Sequence, residues 1–526
     1  MSVTRYSSKK PDMRKHTFLL LLLSLTGLSG FAQPLAGYDS VRLSDVCNAF
    51  IDFEILASSS KRTPFWQHTN QWRTVPTEAP AALLGTGLDF RKTILRNPSG
   101  KSVLAFSAGA ELVAVASRSP EILLPQAYAG IGFKGLELTV GRWKQYVGLS
   151  DYSLGTGSYI WAGNALPIPK IQIGFQNYTA VPFTRQFLSF KGFYSDGIFE
   201  NTRAVTTNLK LHNKSFYLRI GQPKSVVKLH GGFNHAVQWG GKSPYHTENG
   251  QMPRGFKNYL NAVTGLKPHG RLANASAFDN GNRVGNHVAS VDVAAELDLR
   301  KVHVFLYRQN LVEDGSLFYL NNIKDGLNGI SLSLKGQERG GFVLRRIVGE
   351  FLYTKSQGGD KMEPGSHIRG NDDYFNNGQV RDGWSYHGRA LGTPFITPGS
   401  DNAWPAYADF FTNNNRVWVA HLGLQGSAGG FLWSSKLSYS DNEGSYAAPF
   451  SGQVKQFSGL LSVQKEVSWF GSSLLKASVC ADNGKLFRNA LGVQLGIRKS
   501  GLIRKRNLPS QTAPGNSGSS LLTARI

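Results

Sequence analysis

The side chains that could do chemistry are few and poorly spaced for it. Asp372 and Asp373 form an adjacent acidic pair of the kind that serves a glycosidase or a calcium ion. No calcium-loop spacing surrounds them, so acidic residues of a solvated or lumen-facing loop are the preferred reading. His230-Gly231-Gly232 has the composition of an oxyanion loop. The chain has no Gly-x-Ser-x-Gly elbow to supply a nucleophile, and a tight turn beside a strand is the preferred reading. His230 and His235 stand five apart, without the His-Glu-x-x-His spacing that aims two imidazoles at one metal. No enzyme, cofactor or metal site is therefore expected.

Charge and the amino terminus narrow the partners. The 526 residues carry 58 Lys+Arg against 34 Asp+Glu, a formal charge of +24. Such an excess favours nucleic acid, lipid phosphate or acidic polysaccharide. The stretch MRKHTFLLLLLSLTGLSGFAQ, from Met13, has a basic start, an apolar centre and a small-residue end. It reads as a secretory signal peptide over residues 1–32, with Met13 as a second candidate start. An exported chain whose basic residues form no dense run is not expected to bind nucleic acid. Cys47 and Cys480 are too few for a disulfide framework. They could pair if the chain ends meet, as in a closed barrel; two unpaired small residues are the preferred reading.

The elements that must position all this are short alternating strands. Leu136–Val140 and Phe216–Ile220 alternate, and Ile171, Ile173 and Phe175 oppose Gln172, Gly174 and Gln176. Phe431, Trp433, Leu437 and Tyr439 oppose Ser434, Lys436, Ser438 and Ser440; Leu491, Val493, Leu495 and Ile497 oppose Gly492, Gln494, Gly496 and Arg498. Period-two segments of about ten residues, flanked by aromatics, are the signature of an antiparallel transmembrane β-barrel. A secreted sandwich or propeller also alternates. The wet opposite faces, the aromatic flanks and the absence of a repeat of about 20–50 residues weigh against both.

About 17 to 20 strands are counted, spread over a barrel from 61 to 498. Residues 33–60 are either a periplasmic segment or the first strand, and 499–526, rich in Pro, Gly and Ser, read as a disordered tail. Two long irregular segments, 241–283 and 356–413, fall on opposite sides of the membrane by this count. Either one strand is miscounted or one segment plugs the lumen.

The stretch GRWKQYVGLSDYSLGTGSYIWAGNALPIPKIQIGF, from Gly141, resembles the capsule assembly Wzi family of Gram-negative outer membranes. Gly141, Arg142, Asn164, Pro167 and Pro169 carry that resemblance, together with PFWQHTNQW at 64–72 and NDDYFNNGQVRDGWSYHGRALGTPF at 371–395. The resemblance implies an all-β outer-membrane barrel of about 18 strands with an internal or periplasmic plug. It implies a lectin-like, non-catalytic protein that binds exported capsular or exopolysaccharide and helps attach it to the cell surface. The basic excess suggests an acidic polymer, and a monomer in contact with outer-membrane lipid is expected. Tyr374, Asn376, Asn377, Trp384, Tyr386 and Arg389, from the second long segment, are the candidate sugar contacts. Gly141, Arg142, Asn164, Pro167 and Pro169 read as structural. The rival function is an anion-favouring porin, which needs an open lumen.

Overall fold

The computed structural model describes residues 46–502 except 99–101, 268–269, 271–275, 314–315, 337–340, 364–365 and 470. The expected signal peptide and most of the expected tail lie outside the described residues. Eighteen antiparallel strands close into one barrel. In chain order they are β1 (Val46–Ser58), β2 (Ala81–Arg96), β3 (Ser102–Ala116), β4 (Glu121–Phe133), β5 (Leu136–Arg142), β6 (Lys170–Ala180), β7 (Leu188–Ile198), β8 (Lys210–Ile220) and β9 (Val227–Trp239). Then follow β10 (Asn286–Asp298), β11 (Val302–Val312), β12 (Gly326–Leu334), β13 (Phe342–Tyr353), β18 (Val417–Ala428), β19 (Phe431–Gly444), β20 (Pro449–Val467), β21 (Ser473–Gly484) and β22 (Ala490–Leu502). Four short loop strands, β14 to β17, lie between Ser385 and Asn414. Each wall strand pairs with its sequence neighbours, and β1 pairs with β22 to remove the last edge. Closure is what allows a sheet to satisfy its backbone in lipid. The wall therefore begins at Val46 and ends at Leu502, wider at both ends than 61–498.

The expected alternation maps onto the wall with its apolar side outward. Leu437 and Tyr439 are exposed while Ser438 and Ser440 between and beyond them are buried in the lumen. Ile171 and Ile173 are exposed and Gln172 is buried. Outward aromatics gather at both ends of this band. Phe342 stacks on Trp433 at 5.1 Å near one end; Phe351, Trp418 and Tyr439 form a run at 6.2 and 5.8 Å near the other. Cys47 and Cys480 are both free thiols.

Every long connection leaves the same end of the barrel, opposite the end where Val46 and Leu502 lie. The connections at that second end are the short ones, such as 134–135, 299–301 and 429–430. This corrects the placement of the two long segments on opposite sides. Four strands, β10 to β13, separate them, and an even number returns the chain to the same end. The segment between β13 and β18 enters the lumen. The segment between β9 and β10 instead lays the helix Phe256–Thr264 against Val237 and Trp239 of the wall.

The outward position of Leu437 yields a direct check. Leu437→Arg places a cation in the middle of the apolar band, at a cost of about 2–4 kcal/mol. Denaturant unfolding of the barrel in lipid vesicles measures it, and an unchanged midpoint would contradict the assigned wall orientation.

Candidate functional site

The extracellular-type loops build the site, and they do so by filling the lumen first. The loop between β5 and β6 opens at Gly141, whose positive φ and close approach to the Ala127 carbonyl leave no room for a side chain. It then runs inward: Val147, Leu149, Leu154, Tyr159, Ile160 and Ile168 are all buried. An irregular backbone buried this way needs partners for its amides. Lumen-facing wall side chains supply them. Leu149 N donates to Asp292 at 2.9 Å, and Tyr159 N donates to Gln309 at 2.9 Å. Thr156 N donates to Glu350, and the Leu154 carbonyl meets His421 Nε2 at 2.6 Å. Deep in the lumen, Asp151 pairs with Arg346 and accepts from Ser331 Oγ at 2.9 Å. Those partners hold the Asp151 carboxyl below its usual range although burial opposes them.

The segment between β13 and β18 packs on this loop. Ala162 N donates to Leu391 O and Thr393 N to Tyr159 O, both at 2.9 Å. The short helix Phe65–His68 is tied to the wall in the same manner, with Phe65 N on Asp482 at 2.8 Å and Trp66 Nε1 on Ser438 at 3.1 Å. These three segments form an internal plug.

The candidate sugar contacts lie inside that plug. Trp384, Tyr374 and Tyr386 are at most 2 % exposed; Asn376 and Arg389 are also buried, and Asn377 is half-buried. Trp384 Nε1 donates to Ile160 O at 2.8 Å, and Tyr374 OH donates to Asp325 at 2.7 Å. Asn376 Nδ2 donates to Thr412 O at 3.0 Å, Asn377 Nδ2 to Asn286 at 3.2 Å, and Tyr386 OH accepts from Arg142 at 3.1 Å. Their polar atoms thus hydrogen-bond within the protein, and five of the six side chains are buried. Asn164 bridges Asn70 N and Ala390 O within the plug, and the Pro169 carbonyl accepts Ile198 N at 3.2 Å. Pro167 is buried beside it.

The other chemical candidates also resolve as structure. Asp372 accepts from Ser316 and Asn322, and Asp373 from Asn415 and Asn376. His230-Gly231-Gly232 lies inside β9, correcting the expected turn; His230 faces the lumen, 3.1 Å from Glu296 and 2.8 Å from the Tyr178 hydroxyl. His235 faces outward against His287 at 2.9 Å. Among the described residues no group of three or more His, Cys, Asp or Glu is placed to hold a metal ion.

What the plug presents at the loop end is a polar cleft of about 620 Å³. Its lining comes from four separate loops: Lys61, Arg62 and Glu78; Arg118; Asp401, Asn402 and Trp404; and Arg488. Arg62 forks onto Asp401 Oδ1 and Ser400 O, both at 3.0 Å. Arg389, on the plug side, holds the other Asp401 oxygen at 3.1 Å. One carboxylate thus stands between two guanidinium groups, and Arg118, Arg488 and Lys61 are exposed around it. Trp404 is clamped upright: its Nε1 donates to Lys485 O at 2.9 Å and its ring stacks on Phe450 at 4.6 Å. Behind the floor, burial and the Arg389 charge drive His68 down to about 3, so it stays neutral under the cleft. Of the six residues expected at the site, only Arg389 reaches this cleft, through Asp401. The cleft residues themselves form no motif, because they come together from positions between 61 and 488 only after closure.

The sequence matches the family model of the capsule assembly protein Wzi over residues 89–420. Among solved structures, the chain is similar to Wzi of Escherichia coli, described as an outer membrane protein involved in group 1 capsule assembly and as a carbohydrate-binding β-barrel. That similarity has a TM-score of 0.53 at 16% identity, over 85% of this chain and 84% of that one. OpdQ of Pseudomonas aeruginosa is similar at TM-score 0.45 and 7% identity, over 88% and 98% of the two chains. OccK5 of the same organism is similar at 0.44 and 8%, over 89% and 100%. No curated protein sequence matches the chain significantly.

A carboxylate that the plug packs against, in the loop between β11 and β12, carries a pH signature. Burial raises the Asp325 carboxyl to about 6, against the hydrogen bonds from Tyr374 OH, Ser356 N and Gln357 N. The folded state therefore holds this proton between about pH 4 and 6 where the unfolded chain has released it. Stability from this group is greatest below pH 4 and falls as pH rises to 6. Thermal unfolding in detergent of wild type and Asp325→Asn should show wild type losing ground by up to roughly 3 kcal/mol between pH 4 and 7.

Proposed function

From the premise that the chain belongs to the capsule assembly protein Wzi family, whose model covers more than half of it, we propose that it binds exported capsular or exopolysaccharide at the cell surface and helps attach and assemble it there. The protein spans the outer membrane of a Gram-negative cell, with its long loops outward and the ends of its wall toward the periplasm. It works as a monomer on an acidic polymer and performs no catalytic step.

The observation that carries this reading is the cleft between Trp404 and the Arg62–Asp401 pair. Its lining sets four cationic side chains against two carboxylates, one of them already shared with Arg389. Guanidinium forks match uronate carboxylates, and an indole face packs against the apolar face of a sugar ring. Lys61, Arg118 and Arg488 stand exposed to water, so each contact is modest. A polymer offers the same unit many times, and successive or neighbouring contacts add through effective concentration. A porin needs a continuous aqueous path, whereas here three segments occupy the lumen and donate hydrogen bonds to its wall.

Deleting the gene and assaying cell-attached and released polymer separately tests the function. Unchanged total polymer with a shift from cells to medium is expected; unchanged attachment would overturn the reading. Complementation tests the site. Arg62→Gln and Arg488→Gln each remove a charge-assisted hydrogen bond, which weakens binding roughly tenfold or more, and Trp404→Ala removes the packing face. Binding of the purified barrel to a uronate-containing polymer should fall with each variant and with added salt, while the barrel stays folded and Arg488→Gln, with no ion pair among the described residues, keeps the wild-type unfolding profile. Planar-bilayer conductance well below that of an open barrel is expected, and large steady channels would favour the porin.

A further inference from the structure

The segment between β9 and β10 is not absorbed by polymer binding. It leaves the loop end, turns outward and places the helix Phe256–Thr264 on the outer surface of the wall, beside β7, β8 and β9. The attachment is specific. Tyr259 packs at a tilt against Trp239, ring centres 5.2 Å apart, and its hydroxyl donates to Asp196 at 2.8 Å. Lys214 donates to the carbonyl of Val263 in the last helical turn, where the helix dipole favours a cation. His212 lies 3.1 Å from the same Asp196. Asp196, His212 and Lys214 are the outward polar rows directly above the apolar band that begins with Phe216, Leu218 and Ile220. The helix therefore lies at the boundary between that band and the loop end.

Its free side does not suit water. Phe256 and Leu260, one turn apart, are 74% and 45% exposed, and Leu266 just past the helix is 63% exposed. Around them stand Arg254, Lys257 and Lys267, all exposed. Residues 249 to 278 contain no Asp or Glu, and among the described residues Arg254 and Lys257 form no ion pair. Apolar side chains facing outward at the edge of the lipid-facing band, flanked by unneutralised cations, make an interfacial amphipathic helix.

We propose that this helix is a membrane-surface anchor that binds the phosphate-bearing glycolipid headgroups of the outer leaflet, with Phe256, Leu260 and Leu266 dipping among the acyl chains and Arg254, Lys257 and Lys267 on the phosphates. The occupant follows from two features. The face is continuous with the lipid-facing wall, which excludes a soluble partner at that height, and its charge is of one sign, which disfavours a second copy of the same face. The inference rests on the outer-membrane placement and not on polymer binding, so failure of the polymer experiments leaves it standing.

Hydrogen–deuterium exchange of the full chain in phosphatidylcholine vesicles, with and without lipid A, tests it. Amides of 254–267 should exchange more slowly when lipid A is present. The protection should weaken roughly fivefold per cation removed in Arg254→Gln, Lys257→Gln and Lys267→Gln. Phe256→Asp with Leu260→Asp should abolish it while the wall strands exchange as before. Equal exchange in the two vesicles would overturn the proposal. So would full lipid A protection in the triple charge variant, protection by inorganic phosphate alone, or protection that follows protein concentration and so reports a second copy.

Discussion

Everything at the loop end depends on one constraint: an irregular backbone placed inside a barrel must have its amides paired. Water cannot do this in a packed lumen, and a buried unpaired amide costs about 1–3 kcal/mol. Here the wall does it. Asp292, Gln309 and Glu350 take the amides of Leu149, Tyr159 and Thr156, and Asp482 takes that of Phe65. Strands whose inner face is polar are thus more than channel lining. They are the acceptors that let the β5–β6 loop and the Phe65–His68 helix lie inside the sheet instead of outside it. Wall donors act at the deepest point of the plug, where Arg346 and Ser331 Oγ both donate to the Asp151 carboxylate.

That constraint explains which parts of the molecule were legible from the amino-acid order. The wall follows a period of two, and residues such as Leu491, Val493 and Leu495 declare their outward face without any knowledge of a partner. Parity is more fragile. Strand β12, GLNGISLSL, has two glycines and small polar residues, and one weakly patterned strand reverses the assigned side of every loop after it. Loop interiors have no period at all. Tyr374, Trp384 and Tyr386 have the composition expected of a sugar-facing surface and of a plug core alike. Only the positions of Ile160, Asp325 and Arg142 in space decide between the two.

The cleft was beyond reach for a related reason. Its arginines are separated by most of the chain, and no local rule joins Arg62 to Arg488. What joins them is closure, which brings the first long loop and the last short one to adjacent wall strands. The resemblance to the capsule assembly family was visible in Gly141, Asn164 and the two prolines because those residues serve the plug. Those residues lie within the plug and not in the cleft on its outward face. Family phrases therefore point to the support of the site more readily than to the site.

The support still shapes the cleft, through the chain of contacts from plug to surface. His68 and Arg389 are buried, Arg389 holds Asp401, and Asp401 holds Arg62 at the cleft. A flexible surface arginine loses rotamer freedom when it takes a ligand; one already fixed through a buried partner has lost it on folding. Trp404 is prepared the same way by Lys485 O and Phe450. On the proposed reading, contacts with a repeating polymer are weak one at a time, so any ordering cost recurs at every repeat bound. A rigid plug removes that cost from each of them. This is a physical reason for a barrel of this size to spend its lumen on packed loops instead of a pore.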